Sequence, residues 1–561
     1  MPQLQDMELT TMKKPWGHDH ELELAADTPK QSSEHDKSPP DMERNMSVTT
    51  TNHGRKRSKL EICAILTALF LSLFVSALDA TVISTAAPTI SRDLNSAAGY
   101  TWIGGAYLLA NAASGPIWAK LSDIWGRKPI ILSALAVFFA SSAVCATAKT
   151  MEALIIGRAF QGVAGGGLIL LVHVCISDLF SLRQRSLLMG FTEGVWALAG
   201  VYINLPMSGI AGVLILLFLD VRHEHTSFVD GIKAVDWIGM FTFLGFTLML
   251  LLGLDFGGVL FPWDSAKVVA LLVIGGVMIL AFIYSEKRLA KYPLIPMALF
   301  RHRGNVATFS LVFFHGFVFI AAEYYMPLFL QSVLEASPLR SGLLLLPFIV
   351  TGAILGVLAG VWIHRTGTFR GIMWIGTFLL TLGFGLFISF DAHTSTGMAV
   401  GCLMMGGGGS GLLFEAPLIA VQSQVEQQDV ASATATLSFI RNIALSISVV
   451  VGGTIFQNSM NNRVAVLGAA GLPQELLHRL DGDNAMANVM LPSGVKNQAW
   501  RLAAKQAFAY ATRNMWILYT VVGFLSVVAS LFVDGGHVGT EHVETVTGLK
   551  KKETTTGSAS S

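Results

Sequence analysis

The chain has 561 residues, of which 52% are hydrophobic and only 13% charged. That composition excludes an ordinary water-soluble globular protein and places the chain in lipid. Lys plus Arg (38) nearly balances Asp plus Glu (37), so net charge gives no reason to expect a nucleic-acid or acidic partner. Residues 1–59 are polar and poor in branched apolar side chains, the composition of a disordered tail, and no signal-peptide core opens them. Arg55-Lys56-Arg57-Ser58-Lys59 abuts the first apolar run, so the positive-inside rule sets this tail in the cytoplasm. Apolar segments follow near 61–87, 102–119, 130–147, 153–176, 187–219, 235–256, 266–284, 306–330, 341–363, 371–390, 397–421, 433–456 and 514–533. About 20 apolar residues in a helix cover a bilayer core of about 30 Å, and most of these segments qualify once. Trp102, Trp237, Trp263, Trp374 and Trp516 fall near segment ends, where indoles favour the interface. The longest hydrophilic connection, about 457–513, precedes the last span and is expected outside; it lacks an Asn-X-Ser/Thr sequon. The tail 535–561 carries Lys550-Lys551-Lys552 and is expected in the cytoplasm.

Parity constrains this count. The basic loops Lys120 to Lys128, Arg183 to Arg185, Lys287 to Arg303 and Arg365 to Arg370, with both tails, should all lie inside, which demands an even number of crossings between each pair. Between Arg185 and Lys287 only three apolar segments occur, and 187–219 is unusually long and broken in its middle. Either it makes two abbreviated crossings or a segment is missing.

One stretch is written twice. Gly115-Pro116-Ile117-Trp118-Ala119-Lys120-Leu121-Ser122-Asp123-Ile124-Trp125-Gly126-Arg127-Lys128-Pro129 joins two apolar runs, and Gly360-Val361-Trp362-Ile363-His364-Arg365-Thr366-Gly367-Thr368-Phe369-Arg370 echoes it in the same setting. The repeat points to a duplicated membrane machine. Gly126 and Gly367 suit a tight interhelical turn, and Asp123 lies where a carboxylate meets the positive end of the following helix. Arg127, Lys128, Arg365 and Arg370 are expected to pair with acidic headgroups or with carboxylates of the neighbouring bundle, latching one orientation. With Asp123 and Gly360 these residues form the expected gating loops.

Ionisable residues within spans are functional candidates, because inserting one costs about 2.5–3.5 kcal/mol. Asp79 is the first, unless its span ends early and leaves it at the outer interface. Asp79 and Arg158 both sit roughly 10 Å from the outer surface at 1.5 Å per residue, so Asp79 is expected to exchange a proton between the two faces while Arg158 tunes it by charge proximity. Glu193, Glu323 and Glu415 are further candidates for a substrate cavity, with placement near a helix end as the alternative for Glu193 and Glu323. Tyr324-Tyr325 beside Glu323 suits an amphipathic or cationic solute. His173 and His315 are candidates for titration near neutrality, although a lone His on an apolar helix is more often simply hydrogen-bonded. The glycines at 162 and 165–167 and at 406–409 are not followed by Lys-Ser or Lys-Thr and read as close helix packing rather than a phosphate loop. With no built-in ATPase in view, transport is expected to draw on an ion gradient or to run downhill. Cys63, Cys145, Cys175 and Cys402 show neither metal-ligand nor disulfide spacing. No nucleophile with a spaced base and no metal cluster is visible, so neither an enzyme, a cofactor nor a metal is expected.

Leu78-Asp79-Ala80-Thr81-Val82-Ile83 with Pro88, the loop at Gly115 to Pro129, and Arg158-Ala159-Phe160-Gln161-Gly162-Val163-Ala164-Gly165 resemble the first-half signatures of the fourteen-span drug:proton antiporters of the major facilitator superfamily. Tyr324-Tyr325-Met326-Pro327-Leu328-Phe329-Leu330-Gln331, with Ser337-Pro338 and Ser341-Gly342, resembles the fungal members, and the likeness covers roughly residues 60 to 535. Ala119, Ile124 and His364 depart from the family's loop pattern, which usually has a glycine, a basic residue and an acid there. Arg441-Asn442-Ile443-Ala444-Leu445-Ser446 resembles a stretch that usually carries more glycine. Relatives continue beyond a stretch like Glu193 to Ala199 into a Gly-Pro-rich antiporter motif, whereas this chain passes from Gly200 to Val201-Tyr202-Ile203-Asn204-Leu205-Pro206. The resemblance therefore implies that most of a fifth span, about twenty residues, is absent.

What it implies for the whole is an all-α polytopic membrane protein of two six-helix bundles, 60–220 and 305–534, with two linker spans and a basic loop at 221–304. The solute would bind near mid-membrane. The implied activity is proton-coupled export of a small amphipathic drug, toxin or secondary metabolite, with lipid, solute and protons as partners, by a monomer in the plasma or vacuolar membrane. Proton symport of an iron chelate or basic amino acid remains an alternative, as does a membrane protein that does not transport because the span is lacking.

Overall fold

The computed structural model describes residues 58–93, 99–198, 204–219, 227–257, 261–290, 293–536 and 538–539; at 81–93, 99–105, 193–198 and 204–209 only the backbone is described. The tails on which a cytoplasmic location is expected otherwise lie outside these residues. Among the described residues are fourteen α-helices of fifteen residues or more. They are α1 (Lys59–Asp93), α2 (Gly99–Trp125), α3 (Arg127–Thr147), α4 (Met151–Leu179), α5 (Leu182–Leu198), α6 (Asn204–Phe218), α7 (Trp237–Phe256), α8 (Ala266–Tyr284), α9 (Arg303–Ser332), α10 (Pro338–Thr366), α11 (Arg370–Phe387), α12 (Thr396–Ser423), α13 (Val430–Ala469) and α14 (Gln498–Leu531). Eleven are long and apolar enough to cross a membrane; α2, which carries Lys120 and Asp123, and the short α5 and α6 are not among them. Helices dominate because a chain in lipid must satisfy every backbone N–H and C=O within the segment.

Local chemistry marks where these helices begin. Ser58 and Glu61 form a reciprocal capping box at the start of α1, with the Glu61 amide donating to Ser58 Oγ (3.1 Å) and the Ser58 amide to Glu61 Oε2 (2.9 Å). Thr150, Ser337 and Asn497 cap α4, α10 and α14 through side-chain oxygens.

The helices pack in a pattern that occurs twice. In the first half α2 packs on α4, α3 on α4, and α6 on α1 and α3; in the second, α10 packs on α12, α11 on α12, and α14 on α9 and α11. Each second-half partner is eight helices later than its counterpart. Two further contacts join the halves, α5 on α10 and α2 on α13, and each is the mirror of the other under the same shift. A two-fold repeat is therefore built into the packing as well as into the loops. Between the halves α7 and α8 form a hairpin that lies against α2 and α13, where Phe243, Phe246, Phe282 and Phe439 make one buried aromatic cluster. Much of the outer surface is apolar, including Phe241, Val277, Leu280, Phe378 and Phe524. A surface of that kind suits hydrocarbon rather than water.

The segment read as broken in its middle is two helices, and two other expectations need correction. The segment 187–219 forms two helices, α5 of 17 residues and α6 of 15, hence about 25 and 22 Å long; residues 199–203 between them lie outside the described set. The hydrophilic connection before the last long helix is 470–497 rather than 457–513, because α13 and α14 both continue past their apolar stretches. Arg463 over the Tyr510 ring (3.7 Å) and Asn514 Nδ2 donating to Ser459 Oγ (3.0 Å) tie these polar extensions together. For the same reason Trp516 sits in mid-helix and is fully buried rather than interfacial.

Candidate functional site

Asp79 and Arg158 meet. Arg158 Nη1 donates to Asp79 Oδ2 at 2.6 Å, and both are buried, at 1% and 7% exposure for Arg158 and Asp79. Arg158 is the eighth residue of α4 and Asp79 lies twenty residues into α1, so helices running in opposite directions bring them level. Gln161, one turn along α4, donates from Nε2 to Asp79 Oδ1 (3.2 Å) and Ser142 Oγ (2.8 Å), while its Oε1 accepts from Arg158 Nη1 (3.0 Å) and the Cys145 thiol (3.2 Å). The Arg158 guanidinium lies 4.6 Å from the centre of the Tyr107 ring, a cation–π contact. This closeness depends on glycine: a Cβ on Gly162 would overlap the Tyr107 backbone, and one on Gly165 its hydroxyl. The site is thus a carboxylate and a guanidinium that neutralise each other in a low-dielectric setting, with amide, hydroxyl, thiol and ring completing the shell.

The other candidates lie in different surroundings. Glu193 lies on α5 where only the backbone is described. Glu323, Tyr324 and Tyr325 were grouped by sequence, but neighbours on a helix do not face the same way. Glu323 is half-buried and lies twenty residues past the start of α9 as Asp79 does past the start of α1. Tyr324 is exposed. Tyr325 is buried; its hydroxyl donates to the Val449 carbonyl of α13, and its ring packs near Tyr519 of α14. Glu415 is 2% exposed and faces the first bundle, with Oε1 3.4 Å from Thr192 Oγ1 on α5 and 3.9 Å from His173 Nε2 on α4. His315 is buried and bonded to Ser410 Oγ at 3.0 Å.

The basic side chains Arg127 and Arg370 hold their own bundles. Gly126 (φ 88°) and Gly367 (φ 73°) have the left-handed backbone their turns require. Arg127 is buried and binds Asp123 (2.5 Å), Asp178 (2.6 Å) and Ser122 (2.6 Å), fastening α2, α3 and α4 together. Asp123 is thus engaged by a side chain, and the start of α3 has no side-chain cap. Arg370 donates to the Leu531 carbonyl of α14 (2.9 Å), and Arg365 is exposed. Lys128 is half-buried. The expected latch from Arg127 to a carboxylate of the other bundle is therefore corrected: carboxylates of its own bundle are nearer.

Contacts across the halves join residues named in sequence, Gly360, His364, Arg183 and Arg185, to polar partners that were not, Ser177, Ser186, Gln422 and Gln427. Gln422 of α12 donates to Ser177 Oγ (3.0 Å), Arg185 of α5 to Gln422 Oε1 (3.3 Å) and Gln427 Oε1 (3.0 Å), and Ser186 Oγ to the Gly360 carbonyl (3.3 Å). His364, standing where an acid was expected, bonds through Nδ1 to the Arg183 carbonyl at 2.8 Å. Gly360 is needed here because a Cβ would overlap the Ser186 carbonyl. Nothing distinguishes such polar residues in sequence except their position beside basic loops.

The Major Facilitator Superfamily profile covers residues 69–449. The chain belongs to that superfamily. It is 41% identical over 512 residues to the efflux pump dotC of Dothistroma septosporum (strain NZE10), covering 88% of this chain and 87% of that protein. It is 40% identical over 524 residues to the MFS-type transporter ppz2 of Metarhizium majus, covering 90% of each. Among solved structures, the proton:xylose symporter XylE shares the fold with a TM-score of 0.55, at 14% identity, over 85% of this chain and 97% of that one. This superfamily member is accordingly a multi-pass integral membrane protein that carries a small-molecule substrate across a lipid bilayer.

Proposed function

We propose that the chain exports a small amphipathic compound in exchange for protons, with Asp79 as the proton-carrying group and Arg158 as the group that sets its affinity. The buried Asp79–Arg158 pair is the observation that carries this reading. A proton arriving at Asp79 releases Arg158 from its carboxylate partner and leaves the guanidinium to Gln161 and the Tyr107 ring, so protonation changes which helices are tied together. Export rather than import is supported by the relatives named as efflux pumps, dotC and, at 35% identity over 419 residues, FUS6 of Gibberella fujikuroi. The free energy comes from a gradient, and the chain does no covalent chemistry on its cargo. In this reading the basic-loop end and both tails face the cytoplasm, and a monomer works in the plasma membrane.

The test is pH-gradient-driven transport in proteoliposomes. Asp79→Asn is expected to abolish gradient-driven flux while leaving insertion and yield unchanged. Undiminished flux would remove Asp79 from the coupling mechanism.

A further inference from the structure

His173 Nδ1 lies 2.7 Å from the carbonyl oxygen of Ile169, one turn earlier in α4. A carbonyl only accepts, so Nδ1 carries a hydrogen in either charge state of the ring. The remaining ring nitrogen, Nε2, faces Glu415 Oε1 of the other bundle at 3.9 Å. Thr192 Oγ1 has one hydroxyl hydrogen, which it can donate either to the Met189 carbonyl (2.6 Å) or to Glu415 Oε1 (3.4 Å). Glu415 Oε2 is buried with no hydrogen-bond partner among the described residues. Without one added proton, the Nε2 lone pair of the ring faces a buried carboxylate. With it, on Nε2 or on the carboxyl, the His173–Glu415 contact becomes attractive, while the Thr192 hydroxyl can supply its own hydrogen to Glu415.

We propose that His173 and Glu415 together form a proton-binding site across the seam between the two bundles, separate from Asp79, and that a bound proton holds the bundles together there. The surroundings leave that role to this pair. From α4 and α3, Asp178 is engaged by Arg127. From α5, Arg185 is bonded to Gln422 and Gln427, and Glu193 lies where no side chain is described. From α13, Arg441 donates to the Phe414 carbonyl at 3.1 Å and lies over the Phe414 ring; from α9, His315 is bonded to Ser410. Toward the basic-loop end, Asp123 of α2 is engaged by Arg127, His364 of α10 is bonded to the Arg183 carbonyl and Arg370 of α11 to the Leu531 carbonyl. The site rests on neither the direction of transport nor the cargo.

A distance measurement tests it. Spin labels at Gln184→Cys and Thr368→Cys, both exposed, report the seam in the full chain in liposomes with the native cysteines replaced. The distance is expected to lengthen as pH rises. Glu415→Gln, whose amide supplies the hydrogen to Nε2 without a proton, is expected to lose that response and stay short at every pH; His173→Gln is expected to do the same toward the carboxylate and decides the matter if the first variant does not fold. Asp79→Asn is expected to keep the response. A wild-type distance indifferent to pH, a response that survives in both glutamine variants, or one lost in Asp79→Asn would overturn the proposal.

Discussion

Arg127 shows how much one side chain holds. Buried with Asp123 and Asp178 on either side, it cannot be removed without leaving carboxylates unpaired, and breaking a buried pair costs about 3–5 kcal/mol. Arg127→Ala should therefore lower the melting temperature in detergent sharply, and Arg127→Lys should recover only part of the loss, because a single ammonium cannot reproduce the forked contacts. Glu335, in the short turn after α9, lies at the other extreme. It holds a left-handed backbone (φ 55°) at a position that usually takes glycine, with the Ala336 amide reaching back to the Leu330 carbonyl at 3.0 Å. Arg501 grips both of its carboxyl oxygens. Those bonds hold the Glu335 carboxyl below the usual carboxylate range, so the stabilisation is complete above the ordinary glutamate pKa and is lost as pH falls through the lowered value. A pH series of melting temperatures for the wild type and Glu335→Gln should differ at neutral pH and converge in acid. Asp79 and Arg158 were legible in the sequence because a charge in an apolar run is conspicuous. Tyr107 and Ser142 were not, since uncharged residues in such a run give no sign of which of them faces an ion.

Close approach between helices is governed by glycine. On α12, a Cβ at Gly411 would overlap the Gly352 carbonyl of α10, and one at Gly407 the Phe348 carbonyl. Gly411→Val is expected to push α10 and α12 apart at a cost of about 1–3 kcal/mol. Gly342→Ala, where the added carbon meets nothing within 4 Å, should leave the melting temperature level or raised. Thermal unfolding of the two side by side separates packing from a general intolerance of substitution. Element boundaries were the least legible part of the fold. Apolar runs mark only the portion of a helix within lipid, and α13 and α14 continue as a polar pair that lipid-based reasoning cannot see. Conversely, α5 and α6 merged into one segment because the chain between them has no charge to divide them.

At the scale of the whole molecule the duplication was readable from one repeated loop, and the packing repeats it helix by helix. Orientation is open to direct test: cysteine labelling in the loop Lys287 to Arg303 should succeed only from the cytoplasmic side, and external labelling would reverse the topology. The short α5 and α6 bear on completeness. Transcript sequencing across the codons for Gly200 and Val201 is expected to recover about twenty residues, one span's worth; an uninterrupted read would show that two abbreviated helices do the work of full ones. The seam itself sets an energy scale. Apart from those of Arg185, Glu415 and His364, its bonds among the described residues run between neutral partners such as Ser186 and Gly360 or Gln422 and Ser177, each contributing about 0.5–1.5 kcal/mol, whereas the Arg127 cluster inside one bundle is several times stronger. A tenfold proton ratio supplies about 1.4 kcal/mol, and a unit charge crossing 100 mV about 2.3 kcal/mol. One proton's worth of membrane driving force is thus enough to open a few bonds of the seam and about equal to a single buried pair such as that of Arg127, so the molecule yields first along the line where its bonds are weakest and movement is useful.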